Sequence, residues 1–147
     1  MLIGIATDHG GFELKEDLFA KLKAAGHELV DFGAYELKKD DDYPDFVIPL
    51  AQAVAAGKVE RGIAVCGSGV GAAFCANKVK GVRACLIHDH FSARQGVEDD
   101  HMNLLCMGGR TVGPMVAWDL VETFLAAQYG LAERYIRRLK KVEAIER

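Results

Sequence analysis

No apolar run in the 147-residue sequence approaches the roughly 20 residues that a membrane-spanning helix needs, so a membrane partner is set aside. The start, MLIGIATDHGG, lacks the basic residues and long apolar stretch of a secretory signal and reads as a first strand. An excess of charge is also missing. Lys and Arg number 18 against 21 Asp and Glu, for a net charge of -3, and no face is evidently basic; nucleic acid is therefore not an expected partner. The four cysteines, Cys66, Cys75, Cys85 and Cys106, form no CxxC pair and show no zinc-like spacing, so no metal is expected. Without a secretory signal they point to free thiols in a reducing cytoplasm. No repeat, low-complexity stretch or linker divides the chain, and its length with half the residues apolar predicts one domain, 1–147.

What is present is an alternation of periodicities. Strands are predicted at Leu2–Thr7, Glu28–Phe32, Gly62–Cys66, Arg83–His88 and Asn103–Met107. Helices are predicted at Phe12–Ala25, closed by Gly26, at Phe46–Ala56, closed by Gly57, and at Val70–Val79. A helix start is marked at Phe91–Gln95, and further helices at Pro114–Gln128 and Leu131–Glu146. Tyr35–Asp45, with its acidic run Asp40–Asp42, reads as a loop. Five strand–helix alternations predict an α/β, three-layer αβα, Rossmann-like fold with a five-stranded, mostly parallel sheet. The last helix carries an apolar stripe, Leu131, Tyr135, Leu139 and Val142, that either covers its own core or docks on a partner subunit.

In such sheets ligands bind beyond the carboxyl ends of the strands. Those ends read Thr7-Asp8-His9-Gly10-Gly11, Cys66-Gly67-Ser68-Gly69-Val70-Gly71, His88-Asp89-His90 and Gly108-Gly109-Arg110. A carboxylate, an imidazole, a thiol, a hydroxyl and two glycine turns thus gather on one edge. Asp8 has an ordinary alternative as a helix cap; a cap needs no imidazole, and His9 suits proton transfer or anion contact. The Gly67–Gly71 turn and the helix start after it favour an anion, and they favour an anionic sulfur at Cys66, unless that residue merely ends its strand. The other three cysteines read as core thiols. Gly67-Ser68-Gly69 with Ala72 and a later Asp89 also fits a dinucleotide fingerprint, though the turn follows the third strand and not the first. Arg134 and Arg138, four apart on the last helix, share a face that either clamps a phosphate or is simply solvated.

The segments DHGGFELK (8–15), DYPDF (42–46), GIAVCGSGVG (62–71), ANKVKGVRA (76–84) and GGRTVG (108–113), with the arginines of the last helix, appear in the order and spacing of one family. Through them the chain resembles the ribose-5-phosphate isomerase B family, which includes galactose-6-phosphate isomerase subunits. The resemblance implies a cofactor-free, metal-free aldose–ketose isomerase of phosphorylated sugars. Ribose 5-phosphate to ribulose 5-phosphate is the leading reaction, through an enediolate in sites shared between two subunits of a homodimer or a dimer of dimers. It implies Cys66 as the base between C1 and C2, Ser68 as a hydroxyl assisting transfer between the oxygens, and the N–H groups of Gly67, Gly69, Val70 and Gly71 around the enediolate. It further implies Asp8, helped by Asn103, on the substrate hydroxyls, and His9, Arg134 and Arg138 on the phosphate, with Arg110 nearby. On this reading the glycine turn cradles an enediolate and not a pyrophosphate.

The chain departs from the family in GVEDDHMN, where Asp99 stands at the position of a ring-opening histidine. Either Asp99 opens the ring, or His101, His88 or His90 substitutes, or the substrate arrives open. A tetrose 4-phosphate cannot close a furanose ring and needs no ring opener, which makes it an alternative substrate; a hexose 6-phosphate is another. A non-catalytic sugar-phosphate-binding subunit is a further alternative, opposed by the retention of Cys66, Asp8 and His9.

Overall fold

A computed structural model describes residues 1–146. Over these residues five strands form one sheet in the order β2-β1-β3-β5-β4: β1 (Leu2–Thr7), β2 (Glu28–Asp31), β3 (Arg61–Cys66), β4 (Ala84–Leu86) and β5 (Leu104–Gly108). Every pairing is parallel, including the register pairs Thr7 with Val65 and Cys66 with Gly108, so the expected mostly parallel sheet is parallel throughout. The helices are α1 (Phe12–Ala24), α2 (Pro44–Ala55), α3 (Val70–Ala76), α4 (His90–Asp100), α5 (Pro114–Ala126) and α6 (Glu133–Glu143). Among the described residues no helix is long and apolar enough to cross a membrane.

Alternation along each strand builds the two outer layers. Ile3, Ile5, Ile63, Val65, Leu105 and Met107 face one side, where they meet α1, α4 and α5 through Leu18, Val97, Leu120 and Phe124. Towards the carboxyl ends the intervening positions are small: Ala6, Ala64, Cys66 and Cys106 lie in one cluster with Val47, Leu50, Ala72 and Cys75 of α2 and α3. Short side chains on that face let α2 and α3 sit close over the strand ends. The expected three-layer αβα arrangement follows.

One buried cation holds the end of β2 in place. Lys15 has no exposed surface, and its Nζ donates to both oxygens of Asp31, at 2.8 and 3.1 Å, and to the Ala34 carbonyl at 3.1 Å. Asp31 Oδ1 also accepts from Gly33 N at 2.8 Å, and the 33–34 turn then bonds both main-chain groups of Thr7. Lys15→Ala strands a partly buried carboxylate and opens a void; the expected loss is about 3 kcal/mol or more. Lys15→Met refills most of the volume and is expected to cost less. Urea unfolding of the two variants checks this order.

The last helix is the exception to the layering. No described residue of α6 is buried. Leu131 is 79% and Val142 52% exposed, and contact with the rest of the chain runs mainly through α4.

Candidate active site

Strand order reverses between β1 and β3: from β1 the sheet grows towards β2, and from β3 towards β5 and β4. The carboxyl ends of these two neighbours are the topological switch point, where an α/β sheet leaves a crevice. A cavity of about 400 Å³ opens there, lined by Asp8, Tyr43, Cys66, Gly67, Ser68, Gly71, Arg110 and Thr111.

Three strand-end turns interlock to make it. A Cβ on Gly10 would stand 2.7 Å from Gly67 N, so the turn after β1 lies directly against the turn after β3. Gly109 N donates to the Cys66 carbonyl at 2.8 Å and Arg110 N to the Gly67 carbonyl at 3.1 Å, which ties in the turn after β5. Gly69 has φ +80°, and a side chain there would also meet the Met107 backbone at 2.7 Å.

Cys66 is 5% exposed at the end of β3. Its Sγ accepts a hydrogen bond from Gly69 N at 3.1 Å, across the turn it opens. A sulfur so placed faces the cavity and is met by a main-chain N–H. The other thiols lie outside the lining of this cavity. Burial pushes Cys75 and Cys85 up from their ordinary range and Cys106 well above it. Ser68 Oγ accepts from Val70 N at 3.4 Å, while the Val70 side chain points to solvent. Asp8 is 6% exposed and serves both readings of it: Oδ1 accepts from Gly10 N at 2.8 Å as a cap, and the residue lines the cavity. His9 lies beside it. Its ring meets Asp41 Oδ1 at 2.7 Å, and the pairing pushes the imidazole above its ordinary range, against burial and Arg110. Asp8, His9 and Asp41 each place a donor atom within 4.8 Å of the others. A cation would sit there only if the His9–Asp41 bond gave way.

The remaining candidates stand elsewhere. Asp99, His101 and Asn103 precede β5, whose five residues carry the chain about 15 Å to the cavity edge; they lie at the opposite edge of the sheet. Asn103 is a correction. Its Oδ1 accepts from Arg83 N at 2.8 Å and its Nδ2 donates to the Gly81 carbonyl at 2.9 Å, so its amide pins the turn before β4 and does not reach a ligand in the cavity. His101 closes α4 in the left-handed region and stacks on Tyr129, centroids 4.4 Å apart. Burial and then Arg83 push it below its ordinary range. Asp99 accepts from Gln95 Nε2 at 2.9 Å. Arg134 and Arg138 are exposed on α6; Arg134 donates to Tyr135 Oη at 2.6 Å. None of these lines the cavity of its own chain. His88 Nε2 stands 3.4 Å from Thr111 Oγ1, beside the cavity, and His90 is turned towards Asp119.

Asp89 removes the dinucleotide reading. It caps α4, accepting from Ser92 N at 2.8 Å, and the bonds to Ser92 hold its carboxyl below the ordinary range. Tyr43, Thr111 and Asp41 join the site without having been singled out by sequence. Tyr43 and Thr111 lie within the quoted segments DYPDF and GGRTVG, and the Tyr43 ring closes over Gly71, where a Cβ would meet it at 2.8 Å. Asp41 is hidden in an acidic run that has the composition of a solvated loop.

Residues 3–142 match the family model described as Ribose/Galactose Isomerase. The ribose-5-phosphate isomerase B of Escherichia coli (strain K12) is 38% identical over 144 residues, 98% of this chain and 95% of that relative. A solved structure of ribose-5-phosphate isomerase B from Clostridium thermocellum superposes with a TM-score of 0.95 at 41% identity, covering 99% and 97% of the two chains. That of the Mycoplasma genitalium enzyme with bound ribulose 5-phosphate gives 0.94 at 36%, covering 99% and 95%. With a match this long in sequence and fold, the chain belongs to the ribose/galactose isomerase family of aldose–ketose isomerases.

Proposed function

We propose that the protein interconverts ribose 5-phosphate and ribulose 5-phosphate without a cofactor, through an enediolate, with Cys66 as the base. The observation that carries this reading is the Cys66 sulfur at the cavity wall, bonded by Gly69 N at 3.1 Å. A proton beside a carbonyl is weakly acidic, so its removal needs a positioned base and a held oxyanion. Cys66 takes the C2 proton of the aldose and returns it to C1. The N–H groups of the 67–71 turn hold the enediolate oxygens, and Ser68 moves the proton between them. Asp8 orients the sugar hydroxyls, and His9 and Arg110 meet the phosphate.

One subunit supplies only part of this apparatus. Asp99, at the end of α4, and Arg134 and Arg138, on a helix that buries nothing at home, do not line their own cavity. In a homodimer, Arg134 and Arg138 of the partner subunit complete the phosphate site, and α6 covers its apolar residues on the other copy. A groove of about 460 Å³ beside Ile136 and Ala144 lies on that helix. A reducing compartment such as the cytoplasm suits a free-thiol base.

Asp99 favours one second reading. A carboxylate where the family has a ring-opening histidine suits a sugar that needs no opening, and a tetrose 4-phosphate is such a sugar. Turnover across erythrose 4-phosphate, ribose 5-phosphate and galactose 6-phosphate separates the two. The kcat/KM is expected to be highest with ribose 5-phosphate; a preference for the four-carbon substrate moves the reading to a tetrose isomerase, and binding without turnover of any of them to a non-catalytic subunit.

A further inference from the structure

The acidic run 40–42 is not uniform. Asp40 and Asp42 are exposed, whereas Asp41 turns inward with 10% of its side chain accessible. Its Oδ1 grips a single residue twice: it accepts from the main-chain N–H of His9 at 2.9 Å and meets the His9 ring at Nδ1 at 2.7 Å. Its Oδ2 is sealed from solvent and has no hydrogen-bond partner among the described residues. A carboxylate only accepts, so the nitrogen it meets carries the proton. Nδ1–H is thereby fixed, and Nε2 is the nitrogen left free.

We infer that Asp41 is a positioning residue for His9: one carboxylate oxygen locks both the backbone and the ring and aims Nε2 at the substrate phosphate. The inference rests on the phosphate role of His9 proposed above. The charged groups facing the ring are Asp41, Asp8 and Arg110. The hydrogen bond to Asp41 is the largest influence and raises the ring's titration; Asp8 adds to it, while burial and Arg110 oppose it. The imidazolium therefore survives to higher pH than in an ordinary histidine. As pH rises through that raised value, Nε2 loses its proton and presents a lone pair to the phosphate, and phosphate binding weakens.

Asp41→Asn keeps an oxygen for the His9 main-chain N–H and removes the charge. In this variant the His9 ring, followed by NMR, is expected to titrate at lower pH than in the unmutated enzyme. The alkaline limb of kcat/KM should move down with it. At mildly alkaline pH, KM should rise about tenfold while kcat changes less than about threefold. Asp40→Asn, the same charge change at an exposed neighbour, should move neither. An unchanged ring titration in Asp41→Asn, a KM loss of equal size at every pH, or an equal effect of Asp40→Asn overturns the inference. In the unmutated protein the His9 Nδ1–H signal should persist through the titration, and its disappearance overturns the inference without any variant. His9→Asn separates the two levels. A normal KM in that variant removes the phosphate role itself, whereas a raised KM there beside a normal one in Asp41→Asn removes only the role of Asp41.

Discussion

Cys66→Ala is expected to lower kcat by about 10³-fold, within the range that a positioned general base contributes, while the protein stays folded. The sulfur is small and lies among Ala6, Ala64 and Ala72, so its removal leaves a modest void. The structural cost is a Gly69 N–H without its acceptor. Cys66→Ser separates that cost from the chemistry. A serine oxygen can still accept from Gly69 N, but its hydroxyl does not become an anion near neutrality, so this variant should be nearly as slow and more stable. The remaining thiols give an internal contrast, because Cys75, Cys85 and Cys106 do not line the cavity that Cys66 faces. Cys85→Ala, at a residue outside the cavity, should retain most of the turnover. Steady-state rates with urea unfolding curves check the set; near-normal turnover in Cys66→Ala removes the base assignment.

The second large effect is a restoration. Arg134→Ala/Arg138→Ala, which removes two charged contacts to phosphate, is expected to lower kcat/KM by about 10³-fold. Mixed with Cys66→Ala subunits, this inactive protein should regain activity. In a mixed dimer the cavity that keeps its thiol faces the intact arginines of the other copy, and the second cavity lacks both. Half the dimers in an equimolar, fully exchanged mixture are mixed, each with one working site, so about a quarter of normal activity should return. The proposed shared site suits the geometry: α6 leaves near the end of α4, where Gly130 N bonds the Glu98 carbonyl at 2.8 Å, and neither arginine lines the cavity of its own chain. Silence of the mixture, with exchange verified, would exclude a shared site.

The parts legible in the sequence were those fixed by local pattern. β1 and β3 are buried apolar runs closed by glycine turns, and their ends follow from that alone; so does the cavity at those ends, since strand ends in a parallel sheet converge. Boundaries drifted where a side chain and not the periodicity decides. α4 begins at His90 because Asp89 caps it, though the same aspartate also resembles a ribose-binding acid. α3 stops at Ala76, short of Val79, because Asn77 turns its amide onto Ala73 and Ala84. Asn103 misleads for a related reason: a polar residue beside a strand looks free in a sequence, and only the fold brings Gly81 and Arg83 to both ends of its amide. Asp41 has no local signature at all. Its distinction from Asp40 and Asp42 is a contact across 32 residues of chain.

The central claim is that the Cys66 sulfur lifts hydrogen from carbon. Following deuterium incorporation from heavy water into carbon-bound positions of ribose 5-phosphate tests it most directly, because exchange reports proton abstraction apart from product release. The unmutated enzyme should incorporate deuterium at C2 of the aldose, and Cys66→Ala should show none above the uncatalysed background. Incorporation by Cys66→Ala at a rate close to that of the unmutated enzyme would contradict the account.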